Sequence, residues 1–289
     1  MKEQDCFRRF LFEELGVRGE WVRLQDSWQQ AKQHQRLSET VQEQLGQALA
    51  AAVLLSATIK FDGSLILQAQ GSGSLKTLVA QSTHDRKIRG LARCDGEVSA
   101  GKLSEMMGDG RLVITVESKK GEPYQGVVSL AGDKLADVII SYFLQSEQLE
   151  TKVWLFADET HAAGLFLQEL PAQENYKDDW ERVSVLANTV TKDEMLSLDS
   201  EEILYRLFNE EKVRLFEAEP VAFECSCSQK KIEGTLLTLG REELEGILQE
   251  LSTIDVGCDF CGKKYSFDEV DVKNILYGRP VKKASQRQH

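Results

Sequence analysis

The chain has 289 residues, 42% hydrophobic and 28% charged, with 35 basic against 47 acidic side chains and a net charge of −12. That length holds one large domain or two, with apolar content enough for a real core, and the acidic balance opposes nucleic-acid backbones and anionic membrane surfaces as main partners. No apolar run reaches membrane-spanning length; the longest, Ala48 to Leu55, falls inside a helical pattern. Met1 to Glu14 mixes acids with bases and lacks an apolar signal core, so the expected location is cytoplasmic, where thiols are held reduced.

Leu37 to Ala57 has a helix period, with Val41, Leu45, Leu49, Ala52 and Val53 on one side and Thr40/Glu43 spaced as a capping box. Ile59 to Gln70 reads as a strand, a turn at Asp62-Gly63 and a second strand. Gly71 to Ser74 lacks the third glycine of a dinucleotide fingerprint and reads as a flexible turn. Gly96 to Lys102 satisfies the spacing of a phosphate loop, but Leu103 stands where Ser or Thr should hold magnesium, and Glu97 sits in the would-be anion cradle. A plain loop leading into a helix over Leu103 to Met107 is the better reading. Arg111 to Glu117 and Tyr124 to Leu130 form a strand pair around a turn at Lys120 to Pro123. A helix follows over Ala131 to Glu147, with Leu135, Val138, Ile139, Tyr142 and Phe143 inward, then strands over Thr151 to Ala157 and Ala163 to Leu170. The pattern is α+β with antiparallel pairs: an N-terminal mixed helix and sheet domain, residues 1–171.

After Pro171 the character changes. Ala172 to Glu224 carries 14 acids against six bases. Its patterns are short separate helices: Trp180, Val183, Leu186 and Val190 form one stripe, while Thr191/Glu194 and Asp199/Glu202 are capping boxes with Val190/Met195 and Leu198/Ile203 as staples. Each helix has one apolar stripe and nothing of its own to bury it against, so the segment must dock on a neighbour or stay disordered. Residues 172–222 therefore read as an acidic helical linker, and 223–289 as a small C-terminal domain. The latter has a strand-and-helix stretch over Gly240 to Leu251, too few large apolar side chains for a secure core, and a basic tail (Arg279, Lys282, Lys283, Arg287) that reads as a solvated terminus.

That small domain holds four of the six cysteines. Cys225 and Cys227 stand one residue apart; Cys258 and Cys261 form C-x-x-C before Gly262, a turn in which a glycine lets the chain reverse. Four sulfurs with no histidine nearby are the natural donors of a closed tetrahedral zinc site, and Zn2+ would supply the staple that the domain needs. A disulfide across one intervening residue is cramped, so in a reducing compartment the metal should win, whereas oxidant could reverse the balance. Spacing alone leaves open a static structural zinc ribbon acting as an adaptor, a redox-responsive site, and a thiol–disulfide oxidoreductase, the last weakened by the missing thioredoxin-like context. Cys6 and Cys94 sit apart, in apolar-flanked contexts, as plain thiols. The four histidines (His34, His84, His161, His289) join no catalytic motif, and no residue constellation proposes a reaction, so no enzyme is expected.

The tail motif ECSCS…GCDFCGKKYSF resembles that of the heat-shock protein 33 family of redox-regulated holdase chaperones, and so do VRGE (17–20), IKFDG (59–63), RGLAR (89–93), GEPYQGVVSL (121–130), YFLQSEQLET (142–151) and AAGLFLQELPAQ (162–173). The resemblance spans nearly the whole chain. It implies that Cys225, Cys227, Cys258 and Cys261 are both zinc ligands and redox sensors. It further implies an inactive reduced monomer with zinc bound, and oxidation to Cys225–Cys227 and Cys258–Cys261 disulfides with loss of zinc. Unfolding of the C-terminal region, loosening of the linker and a homodimer that binds unfolded or partly folded client proteins during oxidative stress complete the expectation, with no need for ATP, nucleic acid or membrane.

Overall fold

The computed structural model describes residues 3–59, 62–119, 121–170 and 177–278. The Pro171 boundary, the basic tail, Lys60 and Phe61 of the first predicted strand and Lys120 of the predicted turn lie outside the described residues. Two compact units divide the chain, 1–224 and 225–289. Among the described residues no helix is long and apolar enough to cross a membrane.

The first unit opens with strands β1 (Cys6–Phe12) and β2 (Val17–Leu24), short helix α1 (Asp26–Lys32) and long helix α2 (Glu39–Thr58). Strands β3 (Gly63–Gly71), β4 (Leu75–Thr83) and β5 (Lys87–Cys94), helix α3 (Leu103–Met107), and strands β6 (Gly110–Ser118) and β7 (Tyr124–Ser129) follow. Helix α4 (Leu135–Tyr142) leads through a π-helical turn (Phe143–Glu147) to strands β8 (Thr151–Ala157) and β9 (Ala162–Glu169). Three short helices come next, α5 (Lys177–Ala187), α6 (Lys192–Ser197) and α7 (Ser200–Phe208), and three short strands, β10 (Val213–Leu215), β11 (Glu219–Pro220) and β12 (Ala222–Phe223), end the unit.

Among the described residues these strands form two six-stranded sheets. One runs β10-β1-β2-β9-β8, with β11 also on β1, and the other β12-β5-β4-β3-β6-β7. Helix α2 lies in the core shared by both: Leu45 and every residue from Ala48 to Ser56 are buried, and the same cluster takes Phe7, Val22 and Phe166 from the first sheet and Leu65, Leu78 and Ile114 from the second. A helix apolar nearly all round has to be an interior helix. Its approach to β8 needs a missing side chain, since a Cβ on Gly46 would stand 2.7 Å from the Ala157 Cβ.

The opposite face of β1, β2 and β9 takes the acidic segment. Phe10, Phe12, Val17, Trp21, Leu165 and Leu167 share a second core with Val183 of α5, Met195 and Leu196 of α6, and Ile203, Leu204, Leu207 and Phe208 of α7. The Phe12 and Phe208 rings meet edge to face at 4.9 Å. Both local caps form: the Thr191 hydroxyl accepts from the Glu194 N–H, and the Glu202 carboxylate accepts from the Asp199 N–H at 2.9 Å. The chain then ties the two sheets together, because β10 and β11 pair with β1 while β12 pairs in parallel with β5.

Three sequence expectations change. The capping box at Thr40 gives way to a start two residues earlier: Ser38 is the extended N-cap, Glu39 already favours the helix N-terminus by its charge, and Glu43 instead meets Lys192 at 2.6 Å. Of the two strands predicted over Ile59 to Gln70, the second is β3, which pairs with β4 and β6 on its two sides, and the first falls partly outside the described residues. The helix predicted over Ala131 to Glu147 is regular only over α4. Gly240 to Leu251 contains no strand; Gly240, at φ 86°, separates two helices of the second unit.

Candidate metal centre

The second unit contains helices α8 (Gln229–Leu239) and α9 (Arg241–Leu251), hairpin strands β13 (Thr253–Gly257) and β14 (Lys264–Asp268), and helix α10 (Glu269–Leu276). Its buried apolar set is small: Leu236, Leu244, Ile254, Tyr265, Phe267, Val272 and Ile275. A cluster of that size is a marginal core for a unit of this length.

Two local devices present the sulfurs. Cys225 and Cys227 precede α8, whose N-cap Ser228 accepts from the Lys231 N–H at 3.3 Å. Cys227 thus sits immediately before the α8 N-cap. Cys258 and Cys261 occupy the β13–β14 turn. The Gly262 N–H donates to the Cys258 carbonyl at 2.8 Å, the Cys258 N–H donates to the Lys263 carbonyl at 2.9 Å, and Gly262 takes the left-handed conformation at φ 67°. That positive φ is why a glycine follows the second thiol.

The four Sγ atoms lie within 4.8 Å of one another, with Cys225–Cys258 at 3.6 Å and Cys227–Cys261 at 3.5 Å. A sulfur–sulfur bond is about 2.05 Å long, so all four are free thiols, as are buried Cys6 and exposed Cys94, which stand outside the cluster. A tetrahedral metal–sulfur shell of about 2.3 Å radius has edges of about 3.8 Å. The cluster matches that spacing, and among the described residues no histidine or carboxylate joins it. Four sulfurs suit a soft or borderline divalent ion in a closed shell, with no position left for water.

Sequence reasoning did not single out Tyr265, which is buried and whose Oη donates to the Cys227 Sγ at 3.2 Å. Its signal was its place in strand β14, four residues beyond Cys261. Such a donor stabilises a ligating thiolate and orients it. Burial chiefly, then the neighbouring sulfurs, pushes the Cys261 thiol above the ordinary thiol range, against the pull of the Lys263 N–H. A bound cation reverses that sense, because it takes the sulfur as thiolate and releases the proton. The phosphate-loop imitation remains a loop: Lys102 pairs with Asp133 at 2.8 Å. His84 meets Asp62 at 3.4 Å at the surface.

Fold and site together define a class: an α+β protein with a small separate unit organised around a cluster of four thiols suited to a metal ion. The family model described as Hsp33 protein matches residues 5–268. The 33 kDa chaperonin of Nitrosococcus oceani is 58% identical over 276 residues, 96% of each chain, and that of Vibrio parahaemolyticus is 42% identical over 94% of this chain and 95% of its own. The crystal structure of the Thermotoga maritima 33 kDa chaperonin shares the fold, with a TM-score of 0.82 over 95% of this chain and 98% of that one at 23% identity. The chain belongs to the Hsp33 family.

Proposed function

We propose that the chain is a redox-regulated holdase chaperone that works without ATP and is not an enzyme. Its parts would be an α+β client-binding domain (1–171), an acidic linker (172–222) and a zinc-binding switch domain (223–289). The observation that carries this reading is the convergence of Cys225, Cys227, Cys258 and Cys261 in a unit whose own buried core is so small. Zinc, when bound, holds all four sulfurs as thiolates and closes the unit around them. Thiolates are also the reactive form toward peroxide. Each pair loses two electrons to one peroxide molecule, takes up two protons, and yields one disulfide and two waters. The pairs are Cys225 with Cys227 and Cys258 with Cys261, as the family likeness implies.

Two disulfides leave no thiolate donors, so the staple goes and the small core is left alone. The chain leaving that unit towards its N-terminus is β12, followed by Glu224, whose N–H donates to the Ile88 carbonyl at 3.0 Å. Loosening would pass along this strap to α5–α7 and free the apolar face of β1, β2 and β9 for unfolding clients. On this reading the reduced chain is a passive monomer and the oxidised one an active dimer in the cytoplasm.

Mixing the zinc-loaded protein with peroxide under mild heat, while measuring released zinc and suppression of client aggregation, tests the reading. Suppression should appear only as zinc is released. Equal suppression before and after oxidation would instead mark a constitutive binder with a static zinc ribbon.

A further inference from the structure

The apolar face beneath α5–α7 is not uniformly apolar. Strand alternation puts Arg8 of β1 and Arg23 of β2 on the same side as Phe10, Phe12 and Trp21, and the register sets Arg23 opposite Cys6 and Arg8 opposite Trp21. Arg23 is only 2% exposed. Its Nη1 donates to the Leu198 carbonyl at 2.8 Å and its Nη2 to the Asp199 carboxylate at 2.9 Å and to the Glu3 carbonyl, while Nε is buried without a hydrogen-bond partner. Leu198 ends α6 and Asp199 caps α7. The guanidinium therefore reads a joint between helices: a carbonyl that the first helix leaves free, then the acid that starts the second. Arg8 adds contacts of 3.3 Å to the Ser200 hydroxyl and the Glu201 carboxylate in the first turn of α7.

The Glu3 carboxylate lies 3.1 Å from the Arg8 Nε and accepts from the Ser200 N–H at 2.8 Å, while the Glu3 N–H donates to Asp199 at 3.1 Å. Were α7 to leave, Arg8 would lose Glu201 with Glu3 still in its own N-terminal segment, whereas Arg23 would lose its Asp199 carboxylate. A buried guanidinium that loses its carboxylate must find another anion or water. Resting on the holdase reading above, we propose that Arg23 is a specificity-determining residue of the client face. It selects amphipathic client segments that begin a helix with Asp or Glu and carry apolar side chains four, five, eight and nine residues later. That is the pattern of Asp199 with Ile203, Leu204, Leu207 and Phe208, the occupant of the face in this structure. Apolar packing supplies the contact area, and the paired acid supplies the choice between segments.

The test uses the full chain in two states, peroxide-oxidised wild type and zinc-loaded Phe208→Ala, in which α7 is weakened without oxidation. The probes are a labelled peptide copying residues 191–209 and the same peptide with Asp199 and Glu201 replaced by lysine. The acidic peptide should bind about ten-fold more tightly or better, with the ratio shrinking at high salt. Arg23→Gln should abolish the ratio while both peptides keep weak binding; the milder Arg8→Gln, at a less buried position, should reduce it. Equal affinities for the two peptides, or a ratio untouched by Arg23→Gln, overturns the inference even if aggregation is suppressed. A ratio seen with Phe208→Ala but no binding by oxidised wild type supports the inference and contradicts oxidation as the trigger.

Discussion

Cys225→Ser should leave the reduced chain without tightly held zinc and with residues 225–278 unfolded, while residues 3–170 keep their native signal. The expectation rests on two magnitudes. Structural zinc contributes on the order of 10–16 kcal/mol to the folding of small thiolate peptides, whereas domains of this size have only about 3–5 kcal/mol or less from an apolar core alone. Serine offers a hydroxyl that stays protonated where the site needs a thiolate, so affinity should fall by roughly a hundred-fold or more. Zinc per chain, read together with the protection of Tyr265 and Phe267 in the small core, decides the matter. Full zinc occupancy with an intact β13–β14 hairpin would remove Cys225 from the ligand set.

Phe208→Ala should make the reduced, zinc-loaded protein suppress client aggregation with no oxidant present. Phe208 is 2% exposed, edge to face with Phe12 at 4.9 Å and 6.5 Å from the Phe10 ring. Removing such a ring costs about 3–5 kcal/mol. The cost falls on the docking of α7, because the ring's partners stay on the strands. A penalty near 3 kcal/mol raises the undocked population by roughly a hundred-fold. The four-thiol cluster is chemically untouched, so zinc content should remain at wild-type level. A variant with zinc bound, α7 undocked and no holding activity would separate the apolar face from client binding.

The candidate site was legible because metal chemistry is written in residue type and spacing. Two close pairs of cysteines and no histidine point to four-sulfur coordination whatever the surrounding fold, and the geometry brings those four sulfurs together. Local signals transferred well where the physics is local. The Thr191/Glu194 and Asp199/Glu202 caps form, and the pairs β6–β7 and β8–β9 stand where alternating apolar residues put them. Strands β1 and β2 gave no such signal. Val17 to Leu24 is covered on both faces, by the α2 core on one side and α5–α7 on the other, so nearly every position is buried and alternation disappears. The stretch also buries charge, with Glu20 and Arg23 each 2% exposed. Burial pushes the Glu20 carboxyl up to about 7, against the pull of Arg18, Arg9 and Arg86. Charged residues in sequence suggest surface, and only tertiary pairing, here Arg23 with Asp199 far along the chain, reverses that inference.

In the proposed mechanism the thiol cluster governs the acidic segment through the integrity of the small unit. Amide hydrogen exchange on the full-length protein, timed against zinc release after peroxide, tests it most directly. Protection in α8–α10 and in α5–α7 should fall together as zinc leaves, while β2, β9 and α2 keep theirs. If both disulfides form, zinc departs and α5–α7 stay as protected as before, the cluster and the segment are uncoupled and the account is wrong.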